Sequence, residues 1–427
     1  MRPIVVSRTI PGEKSKKVLD RIKKLNGGWN VPYPFVYSGD GERCHFKDID
    51  GNIFLDFTSQ IASNPLGYND KDINEVLRKY KKSPVKYAGQ DFVIKEHVEL
   101  IEELLKTTNK KLNSAFLVNS GAEAVENAIK IAMRKRKKAK LGISFENAFH
   151  GRTIGALSLT NSKAVQKKNF FTIPTKRLPF NNTAKEKLQS MLHREFSSEE
   201  IAFIIIEPVQ GEGGYNFPIN KTVREIREFS RTLGIPFIAD EVQSGLGRTG
   251  KWWAMENYNV VPDMITSAKA LQVGAVIAKR KDFPEPGSIS STWGGGHLID
   301  LAVGAEIIRK IRRKNLLNHV KHVGDYLKKR LNESNLDNVR GMGLMIAFDL
   351  KNKKAKNDFI IESLKNGLVL LGCGEKTIRV IPPYVVSRKD IDEAINIIEK
   401  SFKNIMKKGF KHKGNICNYM DCGEITT

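Results

Sequence analysis

The sequence predicts an α/β protein built on a large, mostly parallel sheet, and three observations carry that expectation. Short apolar runs at 115–118, 141–145, 201–206, 236–239 and 275–278 are each bounded by polar punctuation. Segments with apolar residues at helical spacing, 93–107, 122–133 and 221–233, alternate with them. The short runs are apolar at nearly every position rather than at every second one, as in strands covered by helices on both faces.

Each element follows in order. The first sixty residues read as extended pieces and turns, with 35–39 and 51–56 extended and Asp50-Gly51 set as a hairpin-like turn. Helix and strand alternate from about residue 72. After Asp300 the pattern changes to one long helix from Leu301 through Arg313 towards Leu331, strands at 343–348 and 377–381, and a closing helix at 389–407. That second pattern suits a smaller α+β domain. The expected organisation is a segment 1–60 packing with the small domain, a large domain 61–310, the small domain 311–408 and a tail 409–427. No internal repeat or low-complexity linker separates them.

Composition bounds the class. A chain of 427 residues suggests more than one structural unit, and 40% hydrophobic residues can fill a large core. No run of eighteen apolar residues occurs, and the first residues lack the apolar core of a secretory signal. Four cysteines do not make a disulfide framework, so a reducing cytoplasm is the expected compartment. Cys417 and Cys422 read as part of a loose tail, with metal ligation or a disulfide as alternatives. The net charge of +24 is spread from end to end, so nucleic acid is not the expected partner. Its densest run, 134–138, reads as a solvated helix end.

The chemistry sits at the ends of the apolar runs. Lys269 lies on a turn between two of them, and Asp240 ends another 269 − 240 = 29 residues earlier. An amine that can form a Schiff base, with a carboxylate to keep a pyridine nitrogen protonated, is what pyridoxal phosphate chemistry needs. Glu207 ends a third run, and strand C-termini line the ligand crevice of doubly wound sheets. Ser120, Gly121 and Ala122 open a helix, as an anion site or as an ordinary N-cap. Phe149, His150 and Arg152 share one glycine-containing loop. There the ring can stack on a flat cofactor and the guanidinium can grip a carboxylate, against core packing and a surface ion pair as the plainer readings. Thr292 belongs to a small-residue turn whose hydroxyls can reach a phosphate. Arg379 stands alone in an apolar strand. It either pairs with a substrate carboxylate or Glu207, or faces outward.

In this order, from about Phe35 to Phe402, these segments resemble the class III (ω-amino acid) aminotransferases of the fold type I pyridoxal 5'-phosphate enzymes. The resemblance implies a large, mostly parallel seven-stranded sheet domain plus a smaller α+β domain. It implies Lys269 as the lysine that carries the cofactor, Asp240 at the pyridine nitrogen, Gln243 at the ring hydroxyl, Phe149 stacked on the ring and His150 beside it. Ser120, Gly121 and Ala122 would form the phosphate cup, completed by Thr292 from the second subunit of a homodimer. Arg152, Glu207 and Arg379 would bind substrate. No metal is implied.

Three segments, 62–68, 149–161 and 269–273, are similar to the lysine-specific branch, where the glycine-rich run after the lysine is shortened to Ala-Leu-Gln-Val-Gly. The implied reaction moves the terminal amine of an ω-amino acid, L-lysine foremost, to 2-oxoglutarate. Arg379 would bind glutamate's α-carboxylate in one half-reaction and pair with Glu207 in the other. A racemase on the same fold, or an aminotransferase for 4-aminobutyrate, ornithine or acetylornithine, would use most of the same residues. The chain departs from the pattern at Gly296, where asparagine is usual, and beyond Lys408.

Overall fold

The computed structural model describes residues 1–27, 32–82, 91–291, 295–412 and 415–420. The chain forms two compact units, one of residues 72–318 and one of 1–71 with 319–427. Thr292 lies outside the described residues.

Unit 72–318 is an α/β layer structure around a seven-stranded sheet. Its strand order is Ser114–Val118, Gly274–Ala278, Met264–Ser267, Phe237–Asp240, Ile201–Ile206, Leu141–Phe145, Thr175–Leu178. Gly274–Ala278 runs antiparallel to both neighbours, and the remaining pairs are parallel. Ser114–Val118 therefore points the same way as the other five strands, and six carboxyl ends share one edge of the sheet. Ile201–Ile206 is buried at all six positions, as its unbroken apolar run requires.

The helix Gly121–Lys135 lays Ala124, Val125, Ala128, Ile131 and Ala132 on the sheet against Phe203, Ile205, Ile238 and Val276. Each valine, isoleucine or phenylalanine among them contributes about 1.5–3 kcal/mol by leaving water, and each alanine methyl about 0.8 kcal/mol. At the opposite edge, Arg227 grips Asp263 with both η nitrogens, at 2.6 and 2.9 Å, while Asp263 accepts from the Phe237 N–H.

Unit 1–71 with 319–427 holds two four-stranded sheets. One has the order Tyr37–Glu42, His45–Asp48, Ile53–Asp56, Leu368–Val369; the other has Asp337–Met342, Met345–Asp349, Thr377–Val380, Leu371–Cys373. The turn at Asp50-Gly51 joins His45–Asp48 to Ile53–Asp56 as an antiparallel pair. Arg379 is only 2% exposed, so the outward-facing reading does not hold. Its Nη2 donates to the Gly372 carbonyl at 2.9 Å.

Several expectations change. The single long helix is two, Leu298–Arg313 and Leu316–Glu333, because Asn315 turns left-handed at φ 49° between them. The helix Glu13–Leu25 was not expected, and its first N–H groups donate to the Asp50 carboxylate rather than to a local cap. The basic run is not simply solvated. Arg134 pairs with Glu285, Lys135 with Asp282 and Lys138 with Glu199, while Arg136 donates to four backbone carbonyls.

Residues 415–420 are not loose. Ile416 is 1% exposed in a cluster with Ile10, Phe46, Phe54 and Val369, and the Tyr419 hydroxyl donates to Asp20 at 2.8 Å. Cys417 is disulfide-bonded, while Cys44 and Cys373 are buried thiols. Among the described residues no cluster could hold a metal ion, and no helix is long and apolar enough to cross a membrane.

Candidate active site

The parallel arrangement explains why residues far apart in sequence meet. Ser120, Phe149, Glu207, Asp240 and Lys269 each end or closely follow one of the strands whose carboxyl ends share an edge. In open α/β sheets that edge is where ligands bind.

Asp240 is 5% exposed and fully engaged. Its Oδ1 accepts from Thr266 Oγ1 at 3.0 Å and from the Val242 N–H at 3.2 Å. Its Oδ2 lies 2.7 Å from His150 Nδ1, a contact that a carboxylate can make only with a proton on that nitrogen. His150 is in turn held through its backbone N–H, which donates to Thr160 Oγ1 at 2.9 Å. His150 Nε2 and Ser267 Oγ are buried without a hydrogen-bond partner among the described residues.

Strand register sets Asp240 against Thr266, which brings Lys269 to the adjacent strand end. Lys269 adopts φ 47°, a left-handed backbone that is uncommon for a residue with a β-carbon and clusters at functional sites. The turn Lys269–Leu271 closes on Gln272, whose Nε2 donates to the Lys269 carbonyl at 3.0 Å.

Ser120 is the N-cap of Gly121–Lys135, accepting from the Glu123 N–H at 3.2 Å. The ordinary cap and the anion cup are compatible, because a first helical turn offers N–H groups without intrahelical acceptors. Gly121 is there because nothing larger fits: a β-carbon would lie 2.8 Å from Val242 Cγ1 and 3.4 Å from the Ala268 β-carbon. The helix start is thus packed between the residues that flank Asp240 and Lys269.

Phe149 has the Arg152 guanidinium 5.9 Å from its ring centre, and its N–H donates to Glu207 Oε1 at 2.9 Å. Glu207 Oε2 accepts from the Gly211 N–H, also at 2.9 Å. Burial pushes the Glu207 carboxyl up to about 7; nearby His150 opposes the rise and Asp240 adds to it. Gln243 Oε1 accepts from the Tyr215 hydroxyl at 2.9 Å. Arg379 belongs to the other unit.

Thr266, Thr160 and Tyr215 were not expected from sequence. Thr266 carried a usable signal, a hydroxyl three residues before Lys269 on the strand beside Asp240. Tyr215 had none, since its loop is fixed only by tertiary contacts. A buried carboxylate at a strand end, an amine one strand away, a donor-bearing helix start and an aromatic ring fit pyridoxal 5'-phosphate.

The class-III aminotransferase family model matches residues 29–402. Acetylornithine aminotransferase of Archaeoglobus fulgidus is 36% identical over 84% of this chain and 93% of its own length. That of Aquifex aeolicus is 33% identical over 88% and 98%. Among solved structures, lysine aminotransferase from M. tuberculosis in the internal aldimine form superposes with a TM-score of 0.82. It is 27% identical and covers 92% of this chain and 99% of that one. With this fold, this site and these relatives, the chain belongs to the class-III aminotransferases, enzymes that work with pyridoxal 5'-phosphate.

Proposed function

We propose that this aminotransferase moves the terminal amino group of an ω-amino acid to 2-oxoglutarate, giving glutamate. L-lysine is the proposed donor, which would leave as 2-aminoadipate 6-semialdehyde. The observation that carries the transfer chemistry is the meeting of Lys269, Asp240, His150 and Glu207 at one strand edge.

When bound, pyridoxal 5'-phosphate supplies the electron sink that makes the C–H bond beside the substrate nitrogen acidic. In this reading Lys269 would hold the cofactor, and its Nζ would serve as the base that moves the proton from the substrate carbon. Asp240 keeps the pyridine nitrogen protonated, and His150 orients that carboxylate. Gln243 would hold the ring hydroxyl, and Phe149 would pack against the ring. Ser120, Gly121 and Ala122 hold the phosphate, with Thr292 of the partner subunit in a homodimer. Arg152 binds the far carboxylate. Arg379 would take the α-carboxylate of glutamate in one half-reaction.

Support for L-lysine comes from the short segment after Lys269, closed at once by Gln272 at φ 71°, and from the likeness to the M. tuberculosis lysine aminotransferase. N-acetylornithine is the second reading, because relatives named for it reach 36% identity. The deciding experiment follows cofactor absorbance after mixing the holoenzyme with either donor, then with 2-oxoglutarate. The proposal expects L-lysine to bleach the aldehyde band faster at equal concentration. Faster bleaching by N-acetylornithine would transfer the assignment to that donor.

A further inference from the structure

Tyr215 closes the loop that follows Glu207, and its backbone is held in an unfavourable place. It is 0% exposed and adopts φ 50°, a left-handed conformation that is an outlier for a bulky side chain. Such strain persists only where the surroundings over-determine it, and it clusters at functional sites. Here the loop is tied at several points. The Gln210 N–H donates to the Asn216 carbonyl at 3.0 Å, and Asn216 Nδ2 donates back to Gln210 Oε1 at 2.9 Å. Gln210 Nε2 donates to the Glu146 carbonyl at 2.6 Å, and a β-carbon at Gly213 would lie 2.3 Å from the Asn147 carbonyl oxygen. The loop is thereby locked against the segment that leads to Phe149.

What this backbone delivers is a hydroxyl at the Gln243 amide. Tyr215 donates to Gln243 Oε1 at 2.9 Å, and the loop backbone packs on the same amide: a β-carbon at Gly211 would lie 2.9 Å from Oε1 and 3.2 Å from Nε2. No group among the described residues accepts from Gln243 Nε2. A primary amide has an acceptor end and a donor end, and its two orientations have nearly the same shape. Only one of them suits a ring oxygen that carries negative charge, the one with nitrogen towards that oxygen and the carbonyl towards a donor. Tyr215 supplies that donor. Filling space under the loop is the plainer role, and it accounts for the aromatic ring. It does not account for the hydroxyl, since phenylalanine would fill the same space.

We propose that Tyr215 is a positioning residue, whose hydroxyl holds the Gln243 amide with Nε2 presented as the donor to the ring oxygen of pyridoxal 5'-phosphate. The inference rests on the reading of Gln243 as the partner of that oxygen. A fixed donor withdraws charge from the ring oxygen, so the proton shared between that oxygen and the Lys269 nitrogen is released more readily. The bound cofactor's visible absorbance then titrates at a lower pH than it would with the amide free to turn.

The test records the pH titration of that absorbance in the wild-type holoenzyme, Y215F, Q243A and the double variant Y215F/Q243A. Y215F and Q243A should each raise the midpoint by about one pH unit, the effect of one hydrogen bond to a charged group. The double variant should titrate like Q243A alone, because Tyr215 acts through Gln243. Y215L, a second side chain without the hydroxyl, should reproduce the Y215F midpoint, and it decides the matter if Y215F fails to fold. A midpoint moved by Q243A but by neither Tyr215 variant overturns the role of Tyr215 alone. Shifts that add in the double variant overturn it as well, since they mark a general disturbance of the site. A midpoint unmoved by Q243A overturns the reading of Gln243 and this inference with it.

Discussion

His150 Nδ1 lies 2.7 Å from Asp240 Oδ2, both side chains are buried, and the contact joins the loop after one strand to the end of another. In the proposed role, where Asp240 stays ionised against a pyridine nitrogen, such a fixed donor would hold the carboxylate in place. Replacing His150 by Gln keeps a donor but loses the ring's reach. Loss of one hydrogen bond to a charged group, about 1.5–3 kcal/mol, should lower kcat roughly 10- to 100-fold. Stopped-flow absorbance should show the loss in the proton-transfer step, with substrate KM little changed. An H150Q enzyme with wild-type kcat would show that the contact does not serve the chemistry.

The packed helix start makes Gly121 a sensitive position. Valine there places atoms within 2.8 Å of Val242 Cγ1, so the helix must move away from the strand ends that carry Asp240 and Lys269. G121V should fold yet hold cofactor at least about tenfold more weakly, since overpacking costs about 1–3 kcal/mol. Equilibrium dialysis of the cofactor measures this directly.

Glu241 gives a pH signature distinct from catalysis. It is 1% exposed and accepts from Ser244 Oγ and from the Ala254 and Met255 N–H groups, while burial pushes its carboxyl up to about 7. Its folded pKa is above the unfolded value, so the folded state binds the extra proton between about 4.5 and 7. Its contribution is fully present below that window and is lost as pH rises through 7. Denaturant unfolding at pH 5 and pH 8 should therefore show E241Q losing less stability on alkalinisation than the wild type. An identical pH dependence in the two proteins would contradict the assignment.

The docked C-terminal segment should also be measurable. Ile416→Ala empties a site that is 1% exposed, among Phe46, Phe54 and Val369. It should destabilise the protein by about 2–4 kcal/mol, read as a lower denaturant midpoint. A change under about 0.5 kcal/mol would mean that the segment is not held as described.

What the sequence disclosed follows from the range of the forces involved. The strand Ile201–Ile206 was legible to the residue, because six consecutive apolar side chains have few alternatives to a doubly covered strand. The placement of Glu207, Asp240 and Lys269 at strand ends was legible because strand ends are set by local pattern, and the parallel order then brings those ends to one edge. The edge strand Thr175–Leu178 was not, since its Thr-Lys-Arg-Leu reads as loop and only pairing with Leu141–Phe145 makes it a strand. The helix Glu13–Leu25 begins at Gly12 with no side-chain cap, and the Asp50 carboxylate that serves it is thirty-six residues away from Lys14. The contact of His150 with Asp240 spans ninety residues and has no local signature.

The central claim is that Lys269, on its left-handed turn beside Asp240, is the residue that carries the cofactor. Borohydride reduction of the purified holoenzyme, followed by digestion and peptide mass mapping, tests it most directly. A pyridoxyl group on Lys269, absent in K269A, is the expected result; a pyridoxyl group on another lysine, with Lys269 unmodified, would contradict it.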